Sequence, residues 1–192
     1  DYYASRGLGD VYKRQVLQDE CAANSTMTRQ AYLDIIYKKT ASLLGVSASA
    51  GALAVGATRD RVATMRRFGE AVGMAFQIQD DILDYTPTAH TGKPANNDLR
   101  EGKITLPLLS VLDRASDSRR RELLERLSRC HESDEEVEYL RSTVENEGGL
   151  SFAAEVMQGY IARAVEMLSD YPDSEYRSAL VNLCAYIAER DR

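Results

Sequence analysis

Asp80, Asp81 and Asp84 lie close together in FQIQDDILDY, residues 76–85. On a helix, positions 80 and 84 fall about 6 Å apart along the axis and on one face, with 81 beside them. Like charges at that spacing cost about 0.2 to 0.5 kcal/mol on an exposed helix, and more where burial weakens their hydration. The neighbours are Phe76, Ile78, Ile82 and Leu83, with Gln77 and Gln79 as the other polar groups, and no lysine or arginine stands nearby to neutralise the three acids. A cation between the carboxylates removes the repulsion. Oxygen-only ligands select a hard ion, and Mg²⁺ in particular keeps several waters and borrows phosphate oxygens from its substrate. The predicted chemistry is therefore Mg²⁺-assisted handling of a diphosphate.

The segment that follows supplies matching charge. TPTAHTGKPANNDLREGK, residues 86–103, is rich in Pro, Gly, Asn and Thr and carries Lys93, Arg100 and Lys103. A long polar stretch without secondary structure of its own is expected to act as a lid or binding loop.

Helices must position these groups. Tyr32, Ile35, Ile36, Leu43 and Leu44 recur at helical spacing, with Thr28 or Thr26 as the N-cap. A second long pattern runs from about Arg59 to Tyr85. Ser133 with Glu136 predicts a capping box opening a helix that contains Val137 and Leu140. Gly148 and Gly149 end that helix and begin another, marked by Phe152, Val156, Tyr160, Ala164 and Leu168. Pro172 breaks it, and Leu180, Leu183, Cys184 and Ile187 mark a terminal helix. A further helix is expected from near Thr105. Tyr32, Tyr160 and Tyr186 are expected to be packing residues. No alternating strand pattern or fixed-period repeat is present, so the expected fold is an all-α bundle.

Composition bounds the remaining possibilities. The chain has 192 residues, 44% hydrophobic and 28% charged, which suits one globular domain. A net charge of −6 argues against nucleic-acid binding, which needs a positive face. Cys21, Cys130 and Cys184 are scattered and form no CxxC pair, which predicts reduced thiols in a cytoplasmic protein. Residues 40–58 (TASLLGVSASAGALAVGAT) carry no charge. Their Ala, Gly and Ser content predicts a buried, closely packed helix rather than a membrane span. The first fifteen residues, DYYASRGLGDVYKRQ, show no helical or strand periodicity and are expected to be a tag, a scar or a frayed end. Residues 16–192 are expected to form a single all-α domain fragment.

With these segments in place, AFQIQDDILDY followed by GKPANNDLREGKITLPLL resembles the second aspartate-rich region of the trans-isoprenyl diphosphate synthases, the polyprenyl synthetase family. YLDIIYKKTASLL, the small-residue run after it, and the tail from EGGLSFAAEV to AERDR agree in order and spacing. The resemblance implies an isoprenoid synthase-type helical bundle, a Mg²⁺ cofactor, isopentenyl diphosphate and an allylic diphosphate as substrates, and a homodimer. It implies Asp80 as a direct metal ligand, with Asp81 and Asp84 acting through waters. Lys39 and Lys93, with Lys103, resemble the lysines that hold diphosphate; Thr40 and Gln77 resemble the residues that aim oxygen dipoles at the carbocation. Phe76 would line the prenyl side, and Gln18 falls where the family often has glutamine.

Taken singly, each residue also has an ordinary reading: Asp80–Asp84 as a solvated acidic patch, Lys39 as a surface charge, Thr40 back-bonded to its own helix, Phe76 as core, Lys103 as loop. Two departures from the family stand out. Asn96 replaces a common glycine, and asparagine tolerates the left-handed backbone that glycine would adopt there. No earlier DDxxD with its pair of arginines occurs in this sequence; the acidic run SDEEVEY, residues 133–139, has the wrong spacing. The fold is therefore expected to be truncated on its N-terminal side and the chain inactive alone. The other reading is a noncatalytic regulatory or binding subunit of such a synthase.

Overall fold

A computed structural model describes residues 27–86 and 96–190; Gln18, Cys21, Lys93 and the expected foreign segment 1–15 lie outside them. Every regular element among the described residues is helical. The chain clusters into two compact units, Asp1–Ile35 with Asn96–Gly149, and Ile36–Ala95 with Leu150–Arg192.

The first unit holds most of α1 (Arg29–Ile36) together with α4 (Asn97–Arg100), α5 (Leu106–Arg114), α6 (Asp117–Leu127) and α7 (Asp134–Asn146). Thr28 caps α1, its hydroxyl accepting from the Ala31 amide at 3.1 Å. Every residue of α5 from Leu106 to Leu112 is buried, as expected of a helix that is apolar nearly all round. By contrast, α6 (DSRRRELLERL) buries only Leu123 and Leu127. Beyond those two leucines it is tied to α7 by charge. Arg119 reaches Glu147 just past the end of α7 and Arg126 reaches Glu136 in its first turn, while Glu122 of α6 itself braces both guanidinium groups. Both guanidinium groups lie over the ring of Tyr139, that of Arg126 at 3.9 Å from its centre.

Only half of the expected capping box forms at the start of α7. Ser133 Oγ accepts from the Glu136 amide at 3.3 Å, but the Glu136 carboxylate does not reach back. It turns outward to Arg126 and Arg129, whose charges attract it more strongly than a neutral amide does. The expected structureless loop also contains order: α4 occupies four of its residues.

The second unit contains a π turn (Tyr37–Ala41), α2 (Ser42–Ala54), α3 (Arg59–Asp84), α8 (Gly149–Met167, from Leu150 onward) and α9 (Glu175–Glu189). Thr58 caps α3 by accepting from the Arg61 amide at 3.4 Å, and Asp60 adds favourable charge in the first turn. Its 26 residues extend about 39 Å. From Phe68 to Tyr85 it is buried on nearly all sides.

Helix α2 packs along α3 through a seam of small residues. A Cβ on Gly69 would stand 2.7 Å from the Leu44 carbonyl carbon and 2.9 Å from Gly45 Cα. One on Gly73 would stand 2.5 Å from Ala41 Cα. The two backbones therefore touch, and only glycine permits it. Away from this seam the expectation of a buried helix fails. Leu43, Val46, Leu53 and Val55 are exposed, Val55 at 82%. A helix with one narrow contact line leaves most of its apolar circumference uncovered, whatever its composition. Among the described residues no helix is long and apolar enough to cross a membrane.

The two remaining helices also differ in detail from expectation. The buried stripe of α8 is Ala153, Met157, Ile161, Ala164 and Leu168, rotated from the predicted Phe152, Val156 and Tyr160. Tyr160 is instead stacked by the Arg163 guanidinium. On α9, Cys184 and Ile187 are buried, whereas Leu183 and Tyr186 are exposed and do not pack.

Candidate functional site

The three aspartates occupy the last turns of α3 in the second unit, and their environments differ. Asp81 and Asp84 are buried, each about 6% exposed. The Asp80 side chain is 42% exposed. Burial of two carboxylates on a helix whose dipole is negative at this end is unfavourable unless donors or cations meet them. The described residues show where part of that compensation comes from.

One donor reaches Asp81 through a relay. Thr40, in the π turn, donates from Oγ1 to Gln77 Oε1 at 3.0 Å, and Gln77 Nε2 donates to Asp81 Oδ1 at 3.3 Å. The carboxamide thus has its orientation fixed by the hydroxyl on one side and the carboxylate on the other. Thr40 does not back-bond within its own helix. The π turn, with its wider i to i+5 spacing, carries Lys39 on an exposed position immediately beside Thr40. The close glycine seam brings the short threonine side chain within reach of Gln77.

Asp80 already meets a cation, which corrects the reading from local spacing. Arg190, at the end of α9 and 110 residues away, donates from Nη2 to Asp80 Oδ1. Its guanidinium lies over the Phe76 ring at 4.4 Å, and its carbonyl accepts from Gln79 Nε2 at 3.1 Å. Phe76 is therefore half-buried beneath a guanidinium rather than ordinary core. Helical spacing reveals only neighbours on the same element; nothing in that pattern could have found Arg190. Nor could it have found the π turn, since YKKTA contains no feature that separates it from an α-helix.

The donor chemistry suits a hard divalent ion, but the geometry limits how it could be held. Among the described residues no three Asp, Glu, His or Cys side chains converge closely enough to coordinate one ion. Asp80 is the exposed one of the three, with one oxygen paired to Arg190, while Asp81 is engaged with Gln77. That arrangement fits an ion that retains most of its waters and takes further oxygens from a ligand, the habit of Mg²⁺.

The other predicted cation falls in the first unit. Lys103 Nζ lies 3.4 Å from Asp98 Oδ1 and also pairs with Glu101. Partial desolvation works to lower its pKa, but the Glu101 hydrogen bond and the charges of Asp98 and Glu101 outweigh this and raise it, so the ammonium is fully charged at neutral pH. Arg100 is committed to Asp134 at 2.7 Å. Asn96 takes φ 63° and ψ 32°, the left-handed backbone that the sequence anticipates for it, and its Oδ1 is buried without a hydrogen-bond partner.

Comparison with known proteins agrees with this architecture. The polyprenyl synthetase family profile matches residues 4–144. The all-trans-nonaprenyl-diphosphate synthase (geranyl-diphosphate specific) of Rhodobacter capsulatus is 35% identical over 187 residues, covering 97% of this chain and 57% of that protein. Heptaprenyl diphosphate synthase component 2 of Geobacillus stearothermophilus is 37% identical over 164 residues, covering 84% of this chain and 50% of that protein. The crystal structure of polyprenyl synthase from Caulobacter crescentus CB15, complexed with calcium and isoprenyl diphosphate, superposes with a TM-score of 0.86 at 31% identity, over 98% of this chain and 58% of that one. This chain thus spans about half the length of the curated relatives it matches. Its helical fold, the aspartate-bearing α3 and these relatives make it a member of the polyprenyl synthetase family.

Proposed function

We propose that the chain is the later part of a trans-prenyltransferase, which joins isopentenyl diphosphate to an allylic prenyl diphosphate. The relay Thr40–Gln77–Asp81 carries this reading, because it links the π turn to the aspartate helix with oriented oxygen dipoles. In such a condensation the allylic diphosphate ionises, the alkene of the second substrate attacks, and a proton leaves.

Asp80 would hold a divalent ion, which we take to be Mg²⁺, with Asp81 and Asp84 acting through its waters. When bound, that ion neutralises charge developing on the leaving diphosphate. Lys39, exposed beside the relay, supplies a mobile ammonium to the same diphosphate, and Lys93 and Lys103 are assigned to diphosphate by the family resemblance. Thr40 Oγ1 and Gln77 Oε1 present negative ends of fixed dipoles, which favour the allylic cation without reorganising during the reaction. Phe76 offers its ring to the prenyl chain. We further place the intact protein in the cytoplasm as a homodimer. The name of the Geobacillus relative, a component 2, makes a two-component assembly the other arrangement.

The family's earlier aspartate motif is absent from this sequence, so the chain alone is expected to be inactive. The test is Mg²⁺-dependent incorporation of labelled isopentenyl diphosphate by a protein in which the upstream coding region is restored, with allylic primers of increasing length. Asp80→Ala should abolish turnover there; near-normal turnover refutes the metal assignment. An upstream region that lacks a second DDxxD and two arginines, and gives no turnover, would establish the noncatalytic subunit instead.

A further inference from the structure

The carboxylate assigned above to a divalent ion is occupied by a cation of the chain itself. Arg190 makes three contacts with one face of α3: Nη2 to Asp80 Oδ1, the guanidinium plane over Phe76 at 4.4 Å, and its carbonyl from Gln79 Nε2 at 3.1 Å. Its side chain is 17% exposed, so it covers both the charged and the apolar sides of the site. Yet Nε is buried with no hydrogen-bond partner. The guanidinium is held by one ion pair and leaves Nε unsatisfied, which suits a contact that can exchange.

We propose that Arg190 and the divalent ion are alternative occupants of Asp80, so that loading the ion expels the Arg190 side chain and uncovers Phe76. This rests on the reading of Asp80 as a metal ligand. Both cations cannot share the carboxylate comfortably. A guanidinium at hydrogen-bond distance from one oxygen and a dication coordinated to the other would stand only a few ångströms apart in a partly buried setting, where like charges repel strongly. In the ion-free chain, Arg190 supplies the neutralising charge that α3 lacks locally. Once the ion supplies it, the guanidinium has lost its electrostatic reason to stay.

The exchange makes two separable predictions for the full chain, with Mn²⁺ plus inorganic diphosphate as the probe. In a titration followed by electron paramagnetic resonance, Arg190→Gln should bind Mn²⁺ about tenfold more tightly than the wild type, because the competitor is gone. Arg190→Lys keeps the charge and should bind as the wild type does, whereas Asp80→Asn should bind much more weakly. Hydrogen exchange on the wild type supplies the second readout: Mn²⁺ should speed exchange at the end of α9 and leave it unchanged in Asp80→Asn. If Asp80→Asn weakens binding but Arg190→Gln binds no better than the wild type, the exchange is refuted and Asp80 remains a metal ligand. If Asp80→Asn binds as the wild type does, the metal assignment falls and the exchange falls with it.

Discussion

Replacing Gly69 with alanine tests the packing that places the relay. In an exposed helix interior this change stabilises by about 1 kcal/mol, because alanine loses less backbone freedom. At Gly69 the new methyl would meet the Leu44 carbonyl group and, at 2.9 Å, Gly45 Cα. These are backbone atoms, so no rotamer change relieves the clash and α2 must move bodily. Overpacking costs about 1 to 3 kcal/mol, and contacts this short to backbone that cannot swing aside belong to the upper part of that range, about 2 to 3 kcal/mol. Offsetting the propensity gain leaves a net loss of about 1 to 2 kcal/mol, or roughly 2 to 8 °C in Tm for a chain of this length. Gly51, on α2, supplies the control: a methyl added there would have nothing within 4 Å, so Gly51→Ala should raise Tm by about 2 to 4 °C. Thermal and urea unfolding followed by far-UV circular dichroism measure both. The close seam is refuted if Gly69→Ala is at least as stable as the wild type, or if the two alanines shift stability alike.

Other expectations follow from single contacts. Gln77→Leu leaves Asp81 without one of its donors and should destabilise by about 1 to 3 kcal/mol, and a double-mutant cycle with Thr40→Val should show coupling, since the two side chains share one bond. Asn96→Gly should fold at least as well as the wild type, while Asn96→Val should lose about 1 to 2 kcal/mol, because a β-branched residue resists φ 63°; urea unfolding separates them. Hydrogen bonds from Arg141 depress the Glu138 pKa to about 2, so this pair contributes stability that is complete above the ordinary carboxylate range near 4.3 and lost as pH falls toward 2. The carboxylate is 61% exposed, so the contribution stays below about 1 kcal/mol, and NMR titration of Glu138 should show its pKa rising in Arg141→Met.

What the sequence made legible was local. Thr28 and Ser133 act as N-caps because a hydroxyl and an amide three residues apart in the chain settle that geometry between themselves. Asn96 adopts its left-handed backbone for a similarly local reason. The aspartate helix is equally readable, since its apolar spacing persists along its whole length. Legibility stops where a distant element decides the outcome. Arg190 reaches Asp80 across 110 positions, and the surroundings of the carboxylates cannot be inferred without it. Likewise the composition of α2 predicts a helix but not how much of it is covered, because coverage depends on what else is there to pack. The Glu136 carboxylate makes the same point in miniature: its local partner lost to two arginines brought up by the fold.

The ion-paired fastening of α6 to α7 has a thermal consequence. At room temperature such partly exposed pairs contribute little, but the hydration that opposes them weakens on heating, so a shared network gains relative weight as temperature rises. Salt works in the opposite sense, since about 0.1 M shortens the electrostatic range to about 10 Å. With only Leu123 and Leu127 to anchor it, α6 is therefore the helix of its unit whose attachment should be firmest in warm, dilute buffer and loosest in cold brine.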